Sequence, residues 1–200
     1  MEYTQIVYEV ADNIATITLN RPDKRNALDD SLRGALFDAL RAGDRDKDVS
    51  VMIVRGAGSC FSAGYDLSNP NRPVERAIAY QDGWWARHVV NNWFEMWDMS
   101  TPIIGQVHGW CLAGGSELAT ACDLVYVADD AQIGDTHGQW GLVPVWGMSV
   151  RLPERIGVSK SRELSFTARR VSGVEAAAMG LAVRSVPLAE LAGSVAETAG

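Results

Sequence analysis

The stretch Gly109-Trp110-Cys111-Leu112-Ala113-Gly114-Gly115-Ser116-Glu117 sets bare backbone beside a carboxylate. The apolar run Ile103-Ile104-Gly105-Gln106-Val107 leads into it as a buried strand would, and Leu118 to Ala121 continue it with residues that favour a helix. A strand, a glycine turn and a helix start therefore follow one another. Gly114-Gly115 lets the chain approach a ligand closely. The first amides of the helix have no partner within it, so their N–H groups can face an oxygen that gains negative charge. Glu117, in the first turn, stands near enough to exchange a proton with whatever those amides hold. Its blander role is a carboxylate that complements a helix N-terminus.

The surrounding pattern predicts the elements that would position this stretch. Ile6 to Val10 and Ile14 to Leu19 alternate around the turn pair Asp12-Asn13 and read as a β-hairpin. A polar loop with Pro22 follows, and Leu32, Leu36, Ala39 and Leu40 have the spacing of an amphipathic helix from Asp29 to Gly43. Val51 to Val54 is a short buried strand that runs into the loop Gly56 to Asp66, a junction of the kind that faces ligands. Val74 to Asp98 can form a long helix whose Trp85, Val89, Trp93, Phe94 and Trp97 share one broad apolar face, either core or pocket wall. Leu124 to Ala128 and Gln132-Ile133 read as strands, and Met148 to Ile156, Lys160 to Thr167 and Val174 to Met179 as helices. Alternating strands and helices argue for parallel crossovers behind the opening hairpin.

Two hundred residues, 47% of them apolar, suit one α/β or α+β domain with a substantial core. A formal charge of −7 argues against nonspecific nucleic-acid binding, while a few basic residues can still make a local phosphate site. The first residues lack a basic and apolar leader, and no apolar run approaches the roughly 20 residues of a membrane span, so a cytoplasmic protein is expected. Cys60, Cys111 and Cys122 lack paired spacing and read as buried thiols, with neither a disulfide framework nor a zinc site. No Walker loop, dinucleotide fingerprint or serine nucleophile elbow is present.

Four blocks together resemble the crotonase superfamily, the enoyl-CoA hydratase/isomerase group. They are Asn20-Arg21-Pro22 with Asn26-Ala27-Leu28, Phe61-Ser62-Ala63-Gly64-Tyr65-Asp66-Leu67, Gly109 to Asp123, and Ala131 to Pro144. The resemblance implies a crotonase-like α/β fold, β-β-α turns in a spiral with two roughly perpendicular sheets, over residues 1–186 as a core domain. Residues 187–200 would begin a C-terminal helical region that reads as truncated, since relatives continue further. It implies acyl-CoA thioesters as ligands, no cofactor beyond the substrate's own CoA, no metal, and assembly as a homotrimer or hexamer.

By position, the family's oxyanion-hole amides match Tyr65 and Gly114. Backbone donors leave side-chain identity free, so Tyr65 is compatible with the hole and narrows the pocket. Ala63, Gly64, Asp66 and Leu67 match the loop that receives the CoA adenine, and Lys24 and Arg25 lie where basic residues meet CoA phosphates, unless they are merely solvated loop charges. The first family glutamate matches Glu117. The second falls in Ala131-Gln132-Ile133-Gly134-Asp135-Thr136-His137, where histidine stands for glutamate. Imidazole can give or take a proton near neutral pH, so the resemblance implies a Glu117–His137 acid/base pair. Asp135 can orient that imidazole, serve as an alternative acid/base, or be structural. His88 and His108 read as structural, and Asp123 as a turn-fixing residue. The implied reaction is hydration of a 2-enoyl-CoA, with double-bond isomerisation, thioester hydrolysis or acyl-CoA binding without turnover as the alternatives.

Overall fold

The computed structural model describes residues 3–68 and 91–200. Strands β1 (Ile6–Ala11) and β2 (Ile14–Leu19) form the hairpin, and Asp12 and Asn13 both take positive φ, as its tight turn requires. From β2 the chain adds β3 (Val51–Gly56), β4 (Ile103–Val107), β6 (Leu124–Ala128) and β9 (Arg184–Val186), each parallel to its neighbour. The order β1-β2-β3-β4-β6-β9 makes one six-stranded sheet. A second sheet of β5 (Trp110–Leu112), β7 (Gln132–Gly134) and β8 (Val171–Ser172) lies beside it. The chain passes from β4 into β5 and from β6 into β7, so the two sheets are stitched at successive turns.

Helix α1 (Asp30–Arg45) starts where the Asp29 side chain accepts the Leu32 amide. Its Leu32, Leu36, Phe37 and Leu40 are fully buried. It runs past Gly43, where the sequence pattern placed its end. Gly43 is not a cap: a Cβ there would lie 2.7 Å from the Met52 sulfur, so the glycine lets the helix settle against β3. The expected helix over 74–98 is described only as α2 (Asn91–Asp98), and Trp84, Trp85, His88 and Val89 lie outside the described residues. Its apolar residues do not share one buried face. Trp93 and Met96 are buried, whereas Phe94 and Trp97 are exposed, pack on each other with centroids 5.2 Å apart, and have the Arg151 guanidinium over Trp97.

Helix α3 (Gly114–Ala121) is buried along its whole length, which an eight-residue helix reading Gly-Gly-Ser-Glu-Leu-Ala-Thr-Ala allows because most of its side chains are small. Helices α4 (Met148–Ile156), α5 (Val158–Thr167), α6 (Gly173–Met179) and α7 (Leu188–Ala199) complete the described chain. The short β5, β8 and β9 have no sequence signature of their own: two or three residues cannot display a period, and their pairing is set by neighbours distant in sequence. Among the described residues no helix is long and apolar enough to cross a membrane. Cys60, Cys111 and Cys122 are buried free thiols.

Candidate functional site

Two loops meet at the start of α3. The loop after β3 pairs with β5, where the Ser62 amide donates to the Trp110 carbonyl (2.9 Å) and the Leu112 amide to the Ser62 carbonyl (3.0 Å). The same loop is tied to the segment before α1 by Leu28 N–H to Gly64 O (2.8 Å) and Asp66 N–H to Leu28 O (3.1 Å). Zipped on both sides, it presses Gly64 onto the turn into α3. Gly64 has φ +98°, and a Cβ on it would lie 2.7 Å from the Leu112 carbonyl and 3.2 Å from the Gly114 nitrogen. Only glycine satisfies both the dihedral and the approach. Gly64, the residue before Tyr65, is thereby set against Gly114, which holds the first position of α3, where an amide has no acceptor within its helix.

Ala113, just before Gly114, is held at φ 47°, ψ −116°, a conformation that costs a non-glycine residue about 1–3 kcal/mol. It is fixed by its N–H to Gly134 O (3.0 Å) and by Glu117 N–H to its carbonyl (2.9 Å). The strain sits at the turn that aims the Gly114 amide.

Glu117 is 1% exposed. Its Oε1 accepts the Trp146 backbone N–H at 2.7 Å, and its Oε2 lies 3.5 Å from His137 Nε2. On the far side of the imidazole, Nδ1 is 2.7 Å from Asp135 Oδ1. The three side chains form a line, Glu117–His137–Asp135, with Asp135 2% and His137 8% exposed. Asp135 follows β7 and His137 opens a single 3-10 turn (His137–Trp140), so both are placed by the pairing of β7 with β5, the strand that leads into α3. Ser116 adds a latch between those strands, donating to the Gly134 carbonyl at 3.0 Å and to that of Cys111.

Electrostatics follow from this burial. Desolvation pushes the Glu117 carboxyl up to about 7, against the opposing pull of His137 and of the Trp146 and Met148 amides. Burial alone would drive His137 down, but the hydrogen bond to Asp135 and the charge of Glu117 outweigh it and leave the imidazole above its ordinary value. Asp135 is also desolvated, which works against ionisation, yet the hydrogen bond with His137 holds its carboxyl below the usual range. The line therefore contains an ionised aspartate, an imidazole biased toward its cation and a carboxyl that exchanges its proton near neutrality. Such a group can act as a base at one moment and an acid at the next.

The residues matched to CoA binding lie on the zipped loop and its neighbours. Ala63 is half-buried and its amide donates to the Arg25 carbonyl at 2.9 Å, while Leu67 is exposed. Lys24 is exposed on a 3-10 turn (Pro22–Lys24), and the Arg25 guanidinium lies 4.6 Å over the Trp110 ring, which Arg170 also approaches at 5.6 Å. Asp66 is buried, and its carboxylate is engaged by the Ser68 hydroxyl (2.6 Å) and by Arg21 (3.1 Å), which hold it below its ordinary range. Its side chain thus shapes the loop, while its amide holds Leu28. Asp123 accepts the Ile103 amide at 2.7 Å and His108 lies 3.0 Å from the Gly58 carbonyl, both structural contacts. Among the described residues no group of three His, Cys, Asp or Glu is placed to hold a metal ion.

Trp146, which the sequence leaves as either core or part of a bulky pocket for a short or flat acyl group, lies at the site. Its amide holds Glu117, and its indole, 3% exposed, packs on Gly114, Tyr65 and Trp93. The one signal was a large aromatic directly before Gly147, at the end of a loop that leads back to the site.

A family model described as enoyl-CoA hydratase/isomerase matches residues 9–199. A hydroxycinnamoyl-CoA hydratase-lyase of Pseudomonas fluorescens is 34% identical over 189 residues, which is 92% of this chain and 67% of that protein. The human mitochondrial Delta(3,5)-Delta(2,4)-dienoyl-CoA isomerase is 34% identical over 184 residues, 88% of this chain and 56% of that protein. The chain thus spans between half and about two thirds of the length of these relatives. A crystal structure of an enoyl-CoA hydratase from Bacillus anthracis superposes with a TM-score of 0.89 at 30% identity, covering 98% of this chain and 75% of that one.

Proposed function

The chain belongs to the enoyl-CoA hydratase/isomerase family, and on that premise we propose that it hydrates a 2-enoyl-CoA thioester. The observation that carries the reading is the buried Glu117–His137 contact, 3.5 Å long, beside the strained turn that presents Gly114. In the reaction, ionised Glu117 takes a proton from water and the water oxygen adds to the β-carbon of the enoyl group. The π electrons move onto the thioester oxygen, which the Tyr65 and Gly114 amides stabilise as an enolate more than they stabilise the ground-state carbonyl. Protonated His137 then delivers its proton to the α-carbon, and the enolate collapses to the 3-hydroxyacyl-CoA. Asp135 holds the imidazole by Nδ1 so that Nε2 faces the reacting carbons. The CoA part is received by the Ala63-Gly64-Tyr65-Asp66-Leu67 loop, with Lys24 and Arg25 toward its phosphates.

The test is turnover of purified protein with crotonyl-CoA. Glu117→Gln should lower the rate by about 10²-fold or more, the contribution of a positioned general base. An unchanged rate in that variant overturns the assignment.

One observation favours a second reading, double-bond isomerisation. Glu117 and His137 are close enough to pass a proton between them directly, which suits moving a proton along an acyl chain without adding water. Deuterium incorporation at the α-carbon without net hydration distinguishes it, and release of free CoA would mark hydrolysis instead.

The reading carries with it a homotrimeric or hexameric assembly and a cytoplasmic location. Exposed Trp140, Val143, Val158 and Phe166 support association, because a monomer leaves such side chains uncovered. Light scattering on the purified protein tests the assembly.

A further inference from the structure

The chemistry above uses Trp146 only through its amide, but its side chain closes one end of the site. A Cβ built on Gly114 would lie 2.4 Å from the Trp146 Cζ3 atom, so the benzo edge of the indole rests on the backbone of an oxyanion-hole residue. The Tyr65 ring, belonging to the other, meets the same indole edge-on at 5.8 Å and 67°. Trp93 stacks on it at 4.5 Å and 12°, and Phe37 abuts Trp93 at 5.1 Å and 86°. Trp93 and Phe37 are themselves buried in the core, so the indole has a rigid backing. The Trp146 backbone N–H donates to Glu117 Oε1 and fixes the main chain beneath the ring.

We propose that Trp146 sets the substrate class of this site, stopping the acyl group and restricting it to short-chain acyl-CoA thioesters. The proposal rests on the reading of Glu117, Tyr65 and Gly114 as an acyl-CoA site. A thioester oxygen held at the Gly114 amide puts the first acyl carbons beside Glu117, and a longer chain in that direction meets the indole edge. Trp146 cannot yield without breaking its stack with Trp93. One methylene more or less in an apolar pocket changes kcat/KM by about 10–200-fold, so a ring of this size is a sufficient barrier. An apolar groove of about 770 Å³ lined in part by His137, Leu142, Val143, Pro144 and Phe166 is the competing route for a long chain, and Trp146 does not line it.

The experiment compares kcat/KM for crotonyl-CoA and trans-2-decenoyl-CoA in the wild type, Trp146→Ala and Trp146→Phe. The wild type should prefer the short substrate by about 10²-fold, and Trp146→Ala should shift the decenoyl-to-crotonyl ratio at least about 10-fold toward the long one. Trp146→Phe keeps a stacked ring, guards against loss of the fold and should give an intermediate ratio. A wild type that uses both substrates equally, or a ratio unchanged in folded variants, overturns the proposal. Calorimetric binding of butyryl-CoA and decanoyl-CoA separates it from the reaction assignment. No turnover with the length preference retained in binding, and lost in Trp146→Ala, removes the hydratase reading and keeps the barrier; equal binding of both removes the barrier.

Discussion

The two halves of the site are built from different materials. The proposed oxyanion half is backbone, the amides of Tyr65 and Gly114, and what shapes it is a zipped loop in which Gly64 touches the turn at Leu112-Ala113-Gly114. The proposed acid/base half is side chains: Glu117, His137 and Asp135 in a buried line, with ionisation set by desolvation and by one another. The first half is indifferent to which side chains hang from it but intolerant of an added methyl group. The second depends on its functional groups, because each member sets the charge of the next.

Breaking the backbone half should have the largest effect. Gly64→Ala adds a Cβ 2.7 Å from a carbonyl oxygen at a φ of +98°, so the loop must move and one amide leaves its place. The expected loss is about 10²–10³-fold in kcat, that of removing one oxyanion donor. Thioester binding measured by calorimetry should show whether the CoA loop moved with it.

Removing Asp135 should cost less. A hydrogen bond to a charged group contributes about 1.5–3 kcal/mol, so Asp135→Asn should lower kcat/KM by about 10–150-fold. The pH profile makes the test specific. Activity should rise as Glu117 ionises near 7 and fall as His137 loses its proton at higher pH. Without the Asp135 charge the imidazole gives up its proton more easily, so the alkaline limb should move to lower pH, by more than any shift of the acid limb, on which the Asp135 charge acts only weakly through Glu117. A variant with the wild-type alkaline limb would mean that Asp135 does not set the imidazole.

The same aspartate gives a stability prediction. Its carboxyl is held below the ordinary value in the folded protein, so its contribution is complete above that ordinary value and disappears as pH falls through the lowered one. Asp135→Asn should flatten the acid side of the denaturation midpoint plotted against pH.

The smallest effect should come from the latch joining the halves. Ser116→Ala removes the donor to the Gly134 and Cys111 carbonyls and should destabilise the fold by about 1–3 kcal/mol in urea unfolding. Any fall in kcat should be modest, since neither half loses a reacting group.

How far the sequence could be read follows the same division. The hairpin, α1, β3, β4 and β6 were legible because their apolar residues repeat at the period of a helix or fill a short buried run. Gly43 misled as a helix end, since a glycine required for packing against Met52 looks the same in sequence as one required for a cap. Phe94 and Trp97 misled as core, because periodicity does not say that an arginine from another helix will cover the ring. Within the site, Glu117 and the glycine turn could be found from local spacing, while His137 came from the register of its block against a family pattern. Trp146 was legible only as core or pocket wall, because what it touches comes from three separate segments.

The sequence by itself determined the local geometry of the catalytic turn. Glycines that permit a close approach, a helix whose first amides are unpaired and a carboxylate one turn in are all properties of consecutive residues. Only the tertiary structure decided the chemistry those residues can perform. Burial by β5, β7 and α4 brings Glu117 against His137, sets the ionisation of Glu117 near neutrality, and seats the Trp146 indole on Gly114. The reason is that a proton affinity and a pocket wall depend on what surrounds a group in space, and those surroundings here come from residues far apart along the chain.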